Sequence, residues 1–96
     1  MAKHLMTTIT ATPAEITNAN ITTFAFQNNS VDEEVFLWGS VDSAAPDYNT
    51  AARISVPPGA MLAGFTLEQL FPGLAGANRI FAAAEKRRVQ IMFSHA

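Results

Sequence analysis

The segment from Glu34 to Val41 is apolar on both faces of the strand that it predicts. Val35, Leu37 and Val41 fall on one side, and Phe36 and Trp38 occupy the other. A strand with two apolar faces is normally buried on both. In a chain of 96 residues, the second cover must come either from a loop or arm of the same chain or from a neighbouring subunit. The sequence leaves both possibilities open.

The rest of the chain consists of short apolar runs separated by turn residues, a pattern typical of an all-β sandwich or barrel. Alternating or β-branched runs predict further strands at residues 5–11, 21–27, 52–56, 79–84 and 89–94. Pro13 interrupts the first run, so residues 1–20 form either an edge strand or an extended arm. We expect a single β domain over residues 1–96.

One short helix is predicted at about residues 66–71. Thr66 and Gln69 have the spacing of a capping box, in which each residue bonds the backbone of the other. Pro72 and Gly73 then end the helix. No other part of the chain carries so specific a helix signal.

The last two predicted strands flank the polar run 85–88 and therefore predict a hairpin. Val89, Ile91 and Phe93 alternate with polar residues and Met92, which places them in the core. A helix over residues 78–88 is the alternative, because alanine, glutamate and lysine are good helix formers. We favour the strand.

The composition offers little material for covalent or metal-based stabilisation. The chain has no cysteine and two histidines, His4 and His95, so neither a disulfide framework nor a structural zinc site is expected. Only 15% of the residues are charged, and 49% are hydrophobic. A small core with few surface charges favours stabilisation by oligomerisation. We expect no cofactor and no metal.

No arrangement of residues predicts catalysis. His4 and His95 lie near the two ends of the sequence, and no serine stands in a nucleophile-elbow context. Asp32, Glu33 and Glu34 lack the alternate spacing and glycine of a calcium loop, so we expect a solvated turn there. The two histidines are predicted to face solvent or a partner. We expect a protein that is not an enzyme.

The only basic run is Lys86-Arg87-Arg88, after Glu85. Its favoured interpretation is a solvated turn, with contact to an acidic partner surface as the alternative. Nucleic-acid binding is disfavoured, because no aromatic residue is interleaved with the basic ones and the net charge is −2. No segment has the length and hydrophobicity of a membrane span. We expect neither nucleic acid nor membrane as a partner.

Three stretches resemble the small all-β virion proteins of tailed bacteriophages that decorate or cement the capsid shell. They are FAFQNNSVDEEVFLWGSVDSAAPD, ARISVPPG, and LFPGLAGANRIFA with the closing VQIMFSHA. The likeness covers about two thirds of the chain, from Ile21 onward. It implies a non-enzymatic, homo-oligomeric protein, often a trimer, that binds the major capsid protein or other virion proteins. Such a protein is made in the host cytoplasm and resides on the capsid surface.

The expected contacts with other subunits or with the shell lie on three parts of the chain, namely the first strand, the second face of 34–41 and the basic run. The residues are Leu5, Met6, Phe36, Trp38, Lys86, Arg87 and Arg88. A tail, head–tail connector or fibre-base component is an alternative within the structural class. A carbohydrate-binding β module, with Trp38 and Tyr48 as a stacking platform, is the alternative from another class.

Overall fold

The computed structural model describes residues 3–17, 20–49, 53–74 and 76–96. Within these residues the chain forms eight strands and one short helix. They are β1 (Lys3–Ile9), β2 (Ala14–Glu15), β3 (Thr23–Asn28), β4 (Val35–Ser40), β5 (Ile54–Val56), β6 (Met61–Thr66), α1 (Leu67–Leu70), β7 (Arg79–Ala84) and β8 (Val89–His95). The prediction of a mostly β domain with one short helix is confirmed.

The strands form two antiparallel four-stranded sheets. Sheet I has the order β1-β8-β3-β6, and sheet II has the order β2-β7-β4-β5. Four of the pairings are nested, because β1 pairs with β8, β2 with β7, β3 with β6 and β4 with β5. The chain thus folds back on itself between β4 and β5, and the resulting ribbon wraps into both sheets. This strand order is that of a jelly-roll sandwich.

The predicted hairpin at the end of the chain is not formed. β7 pairs with β2 and β4 in sheet II, whereas β8 pairs with β1 and β3 in sheet I. The run 85–88 therefore crosses from one sheet to the other. An alternating pattern identifies the face of a strand that is buried, but it does not identify the neighbouring strand. Both strands themselves, and the inward side chains of β8, are confirmed.

Residues 61–66 form β6, a strand that the sequence did not predict. The segment MLAGFT has no β-branched residue before Thr66 and runs directly into α1. Thr66 nevertheless forms the predicted capping box, because its side chain accepts from the Gln69 backbone and the Gln69 side chain accepts from the Thr66 backbone. The helix comprises a single turn.

The core lies between the sheets, where sheet I contributes phenylalanine rings and sheet II contributes aliphatic side chains and alanines. Phe24 stacks on Phe26 and on Phe93 in sheet I, with ring centroids 6.0 and 6.2 Å apart. Ala82 and Ala84 of β7 are fully buried on the facing side. The alanines of β7 leave room between the sheets for these rings, in keeping with the close packing of protein interiors.

Candidate interaction surface

The outer face of sheet II is covered by the chain itself. Phe36 and Trp38 are buried, and Tyr48 from the loop after β4 packs on both rings with centroids 5.7 and 5.8 Å away. The Arg53 guanidinium lies 3.9 Å from the centroid of the Phe36 ring, in a cation–π contact. The sequence left open whether this face is covered by a loop or arm of the same chain or by a neighbouring subunit. In the structure a loop of the same chain covers it.

This cover corrects two functional expectations. Trp38 has 1% of its surface exposed, so neither Trp38 nor Phe36 presents a contact area to another subunit. A stacking platform for a sugar requires an open ring face, and Tyr48 lies against Trp38 rather than beside it in solvent. The predicted platform of Trp38 and Tyr48 is therefore absent from the surface.

The outer face of sheet I, in contrast, has no cover among the described residues. Its register aligns Met6, Met92, Gln27 and Met61 in one row across all four strands. Met6 is 58% and Met61 67% exposed, and Met92 and Gln27 are half-buried. A depression of about 150 Å³ lies beside this row. Three of the four methionines of the chain thus share one open sheet face.

We refer to the outward side chains of sheet I as the methionine face. Among the described residues it comprises His4, Met6, Thr8, Thr23, Ala25, Gln27, Met61, Thr66, Gln90, Met92 and Ser94. None of them is Asp, Glu, Lys or Arg. Exposed apolar area without charge is typical of surfaces that bind other proteins, and the flexible methionine side chain adapts to a partner's shape.

Strand β1 is one edge of sheet I, and it carries the predicted contact residues Leu5 and Met6. Leu5 is paired with the buried Phe93 and points into the sandwich, yet 41% of its surface is exposed. A groove of about 460 Å³ lies between β1 on one side and residues 14–16, which include β2, on the other. The sandwich is therefore open along this edge.

The basic run lies at the crossing between the sheets, where Lys86, Arg87 and Arg88 are all exposed. Glu33 is buried there, which corrects the prediction that the whole acidic triplet is solvated. Its Oε1 accepts hydrogen bonds from the backbone N–H groups of Lys86 and Arg87, each at 2.6 Å. The Arg87 guanidinium also lies 3.1 Å from a carboxylate oxygen of Asp32. Arg87 is thus held by the chain's own acids, and a contact of the basic run with a partner stays a prediction.

The two histidines lie in different environments. His4 is exposed and its Nδ1 bonds the Ser94 hydroxyl at 2.5 Å on the methionine face. His95 is buried and stacks on Phe93 with ring centroids 6.0 Å apart, which corrects the expectation that it faces solvent or a partner. Within the described ranges, no three His, Cys, Asp or Glu side chains group together as metal ligands.

None of the helices in the described part of the chain is long and apolar enough to cross a membrane. Comparisons of the chain with protein-family models, with curated proteins and with solved structures find no match.

Sequence reasoning identified Met6 but missed Met61, Gln27 and Met92, the other three members of the row. For Met92 a signal was present, because it alternates with Ile91 and Phe93, which were assigned to the core. An apolar residue at an outward position of a strand indicates a covered or contacting face. Met61 carried no such signal, because its strand was not predicted.

Proposed function

We propose that this chain is a non-enzymatic structural component of a tailed-phage virion, a decoration or cement protein that binds the capsid shell as a homo-oligomer. The observation that carries the proposal is the methionine face on sheet I, whose described residues include no Asp, Glu, Lys or Arg. The chain covers the aromatic outer face of sheet II with its own loop, whereas sheet I offers apolar area for another protein.

The fold supports the proposal without carrying it. Jelly rolls occur in viral capsid domains, and they also occur in lectins and cupins. A fold of this kind hosts many functions, so the choice among them rests on the surface. A lectin-type platform on sheet II has no open ring, whereas a protein-binding face needs apolar area that a partner removes from water.

Binding to the shell through this face requires only apolar contact and hydrogen bonds. Met61 and Met6 supply exposed apolar area, and Gln27 and Ser94 supply polar groups able to bond a partner across the same surface. Protein interfaces are enriched in methionine and depleted in lysine and acidic residues at their centre. The composition of the methionine face has this character.

The test is co-sedimentation of the purified chain with empty shells of the major capsid protein encoded nearest to its gene. Saturable binding in a fixed ratio to the shell subunits is expected. Met61→Lys buries an unpaired charge in the contact, and we expect at least a tenfold loss of affinity, about 1.4 kcal/mol. Absence of binding to the shells would overturn the proposal.

Val31→Lys is the matched control, because Val31 is 93% exposed in the turn before β4 and lies outside the methionine face. It adds the same charge to the protein and should leave shell binding unchanged. Equal binding of both variants to the shells would show that the methionine face does not form the contact. A tail or connector component would use the same face on a different partner, and cryo-microscopy of the particle distinguishes these locations.

A further inference from the structure

The backbone of β1 has a bonded side and an open side, and the structure determines which residues face each. Directly after β8, Ala96 exchanges backbone hydrogen bonds with Thr23, and within β8 the Gln90 carbonyl accepts from the Asn29 N–H. Bonding residues alternate along an antiparallel strand. The even-numbered residues of β8 therefore bond β3, and the odd-numbered ones, from Val89 onward, bond β1.

On β1 the partners of the odd-numbered β8 residues are Leu5, Thr7 and Ile9. The N–H and C=O groups of His4, Met6 and Thr8 are therefore directed away from β8, to the edge beyond which sheet I has no further described strand. The strand is seven residues long. A long edge with regularly spaced donors and acceptors is a template for another strand.

The side chains of this edge give the same indication. Leu5 points inward but is 41% exposed beside the groove along β1. A strand added next to β1 would place alternate side chains over this groove and cover Leu5, as in β-strand addition. Among the described residues, this edge thus has neither a backbone partner nor a side-chain cover.

We propose that β1 of a second copy of this chain fills this edge, antiparallel to β1 about a twofold axis at Met6. Met6 then lies opposite Met6 of the copy, and His4 opposite Thr8 of the copy, so that three bonded residue pairs make about six hydrogen bonds. This inference deepens the proposed function and rests on it, since it names the contact that forms the homo-oligomer.

The charge pattern of β1 is compatible with a second copy of the chain at this edge. The sequence from His4 to Ala14 has no Asp, Glu, Lys or Arg, so self-pairing brings no like charges together. In the antiparallel arrangement the two Lys3 residues lie at opposite ends, about 20 Å apart. A twofold contact is self-complementary by symmetry, and both open edges are closed in one step.

The pairing also joins the two methionine faces. Met6 and Met92 of one copy continue into Met6 and Met92 of the other along one row of an eight-stranded sheet. The apolar area offered to a shell is thereby doubled. Each copy alone presents the row Met6–Met92–Gln27–Met61.

Site-specific crosslinking tests the register. The chain has no cysteine, and bonded partners in an antiparallel pair have Cα atoms about 5.5 Å apart, within disulfide range. Met6→Cys should therefore form a disulfide-linked dimer under mild oxidation. Thr8→Cys is the matched control, because the two Thr8 residues lie about 14 Å apart and should not link.

An equal mixture of His4→Cys and Thr8→Cys proteins should link to each other, since these positions face across the axis. Linkage of Thr8→Cys to itself, or none in Met6→Cys, would overturn the register. Light scattering of the unmodified protein should give a dimer, and a monomer or trimer would overturn the twofold pairing.

Met6→Pro provides a second, independent test. It removes the N–H group that faces the open edge and leaves the bonds of Leu5 and Thr7 to β8 in place. We expect at least a tenfold weaker dimer and a monomer that still unfolds cooperatively, with a melting temperature that depends less on protein concentration than that of the unmodified chain. A trimer that binds shells, or a dimer linked in another register, contradicts this inference alone, whereas a dimer that binds no shells contradicts the proposed function alone.

Discussion

Glu33 binds Arg87 twice, through the backbone N–H at 2.6 Å and through the guanidinium Nε at 3.4 Å. The buried carboxylate thereby ties the turn before β4 to the crossing that follows β7. Burial raises the pKa of the Glu33 carboxyl. The backbone N–H groups of Arg87 and Lys86 and the Arg87 guanidinium together lower this pKa by more than burial raises it. The net result is a pKa below the usual value for glutamate.

We predict that the free energy of unfolding decreases in acid because of Glu33. Its pKa is lower in the folded than in the unfolded chain, so the folded state releases this proton more readily. The carboxylate stabilises the fold above about pH 4.3, the ordinary glutamate pKa. This contribution is lost as the pH falls through the lowered pKa of the folded state. Urea unfolding between pH 3 and 7 measures the effect.

Glu33→Gln should flatten this acid dependence and lower stability at pH 7 by about 1.5–3 kcal/mol, the value of hydrogen bonds to a charged group. Glu68→Gln, at an exposed position of α1, is the control and should keep the wild-type profile. Identical profiles for wild type and Glu33→Gln would show that another group governs acid unfolding.

Gly39 leaves no room for a larger side chain. A Cβ atom at this position would lie 2.7 Å from Cδ2 of the Phe71 ring, well inside van der Waals contact. We predict that Gly39→Ala destabilises the fold by about 1–3 kcal/mol through overpacking. Thermal or urea unfolding measures the loss.

Gly64→Ala is the matched substitution, since a Cβ there meets nothing within 4 Å, and it should be near neutral. Phe71→Leu combined with Gly39→Ala should recover part of the lost stability. Equal effects of Gly39→Ala and Gly64→Ala would contradict the close contact between Gly39 and Phe71.

Tyr48 is predicted to keep Trp38 out of water. Tyr48→Ala removes the ring that lies 5.8 Å from the Trp38 ring, so the emission of the single tryptophan should shift to the red and become accessible to acrylamide. Tyr48→Phe keeps the ring and loses only the hydroxyl bond to the Glu85 carbonyl, and should retain the wild-type spectrum. An unshifted Tyr48→Ala spectrum would assign the cover to other residues.

Asn28 is predicted to be a polar anchor of the core. Its fully buried side chain donates to the Glu33 and Val56 carbonyls at 2.8 and 3.0 Å and accepts from the Ser30 N–H at 2.9 Å. Asn28→Leu leaves these groups without their partner, and we expect a loss of at least about 2 kcal/mol. Asn29→Leu, at the exposed neighbouring position, should cost far less in the same unfolding experiment.

The sequence was sufficient for the strands whose alternation is strong. Phe24 and Phe26 of β3, and Val89, Ile91 and Phe93 of β8, lie in the core as predicted. The capping box at Thr66 located the helix, because side-chain hydrogen bonds at a helix start are local. Properties that depend on neighbours within a few residues were therefore accessible.

Properties that depend on distant partners were not accessible. The side chains of Asp32 and Glu33 differ by one methylene group, yet only Glu33 is buried. Its burial depends on backbone N–H groups 53 and 54 positions away in the sequence. The burial of Trp38 depends on the position of Tyr48 in the folded loop. The separation of β7 from β8 depends on the sheet that each strand joins. No local pattern encodes such long-range pairings.

The nested pairing of the strands has a kinetic consequence. Leu37 and Ile54 of the innermost pair are 54 − 37 = 17 positions apart, whereas Lys3 and His95 of the outermost pair are 95 − 3 = 92 positions apart. Closing a loop costs more entropy as it lengthens, but each inner pair that has formed shortens the loop for the next. We therefore expect folding to progress outward from β4–β5, with β1 docking last, at the slow rates typical of non-local β topologies. By the same order, we expect β1 to be the first strand to detach on unfolding.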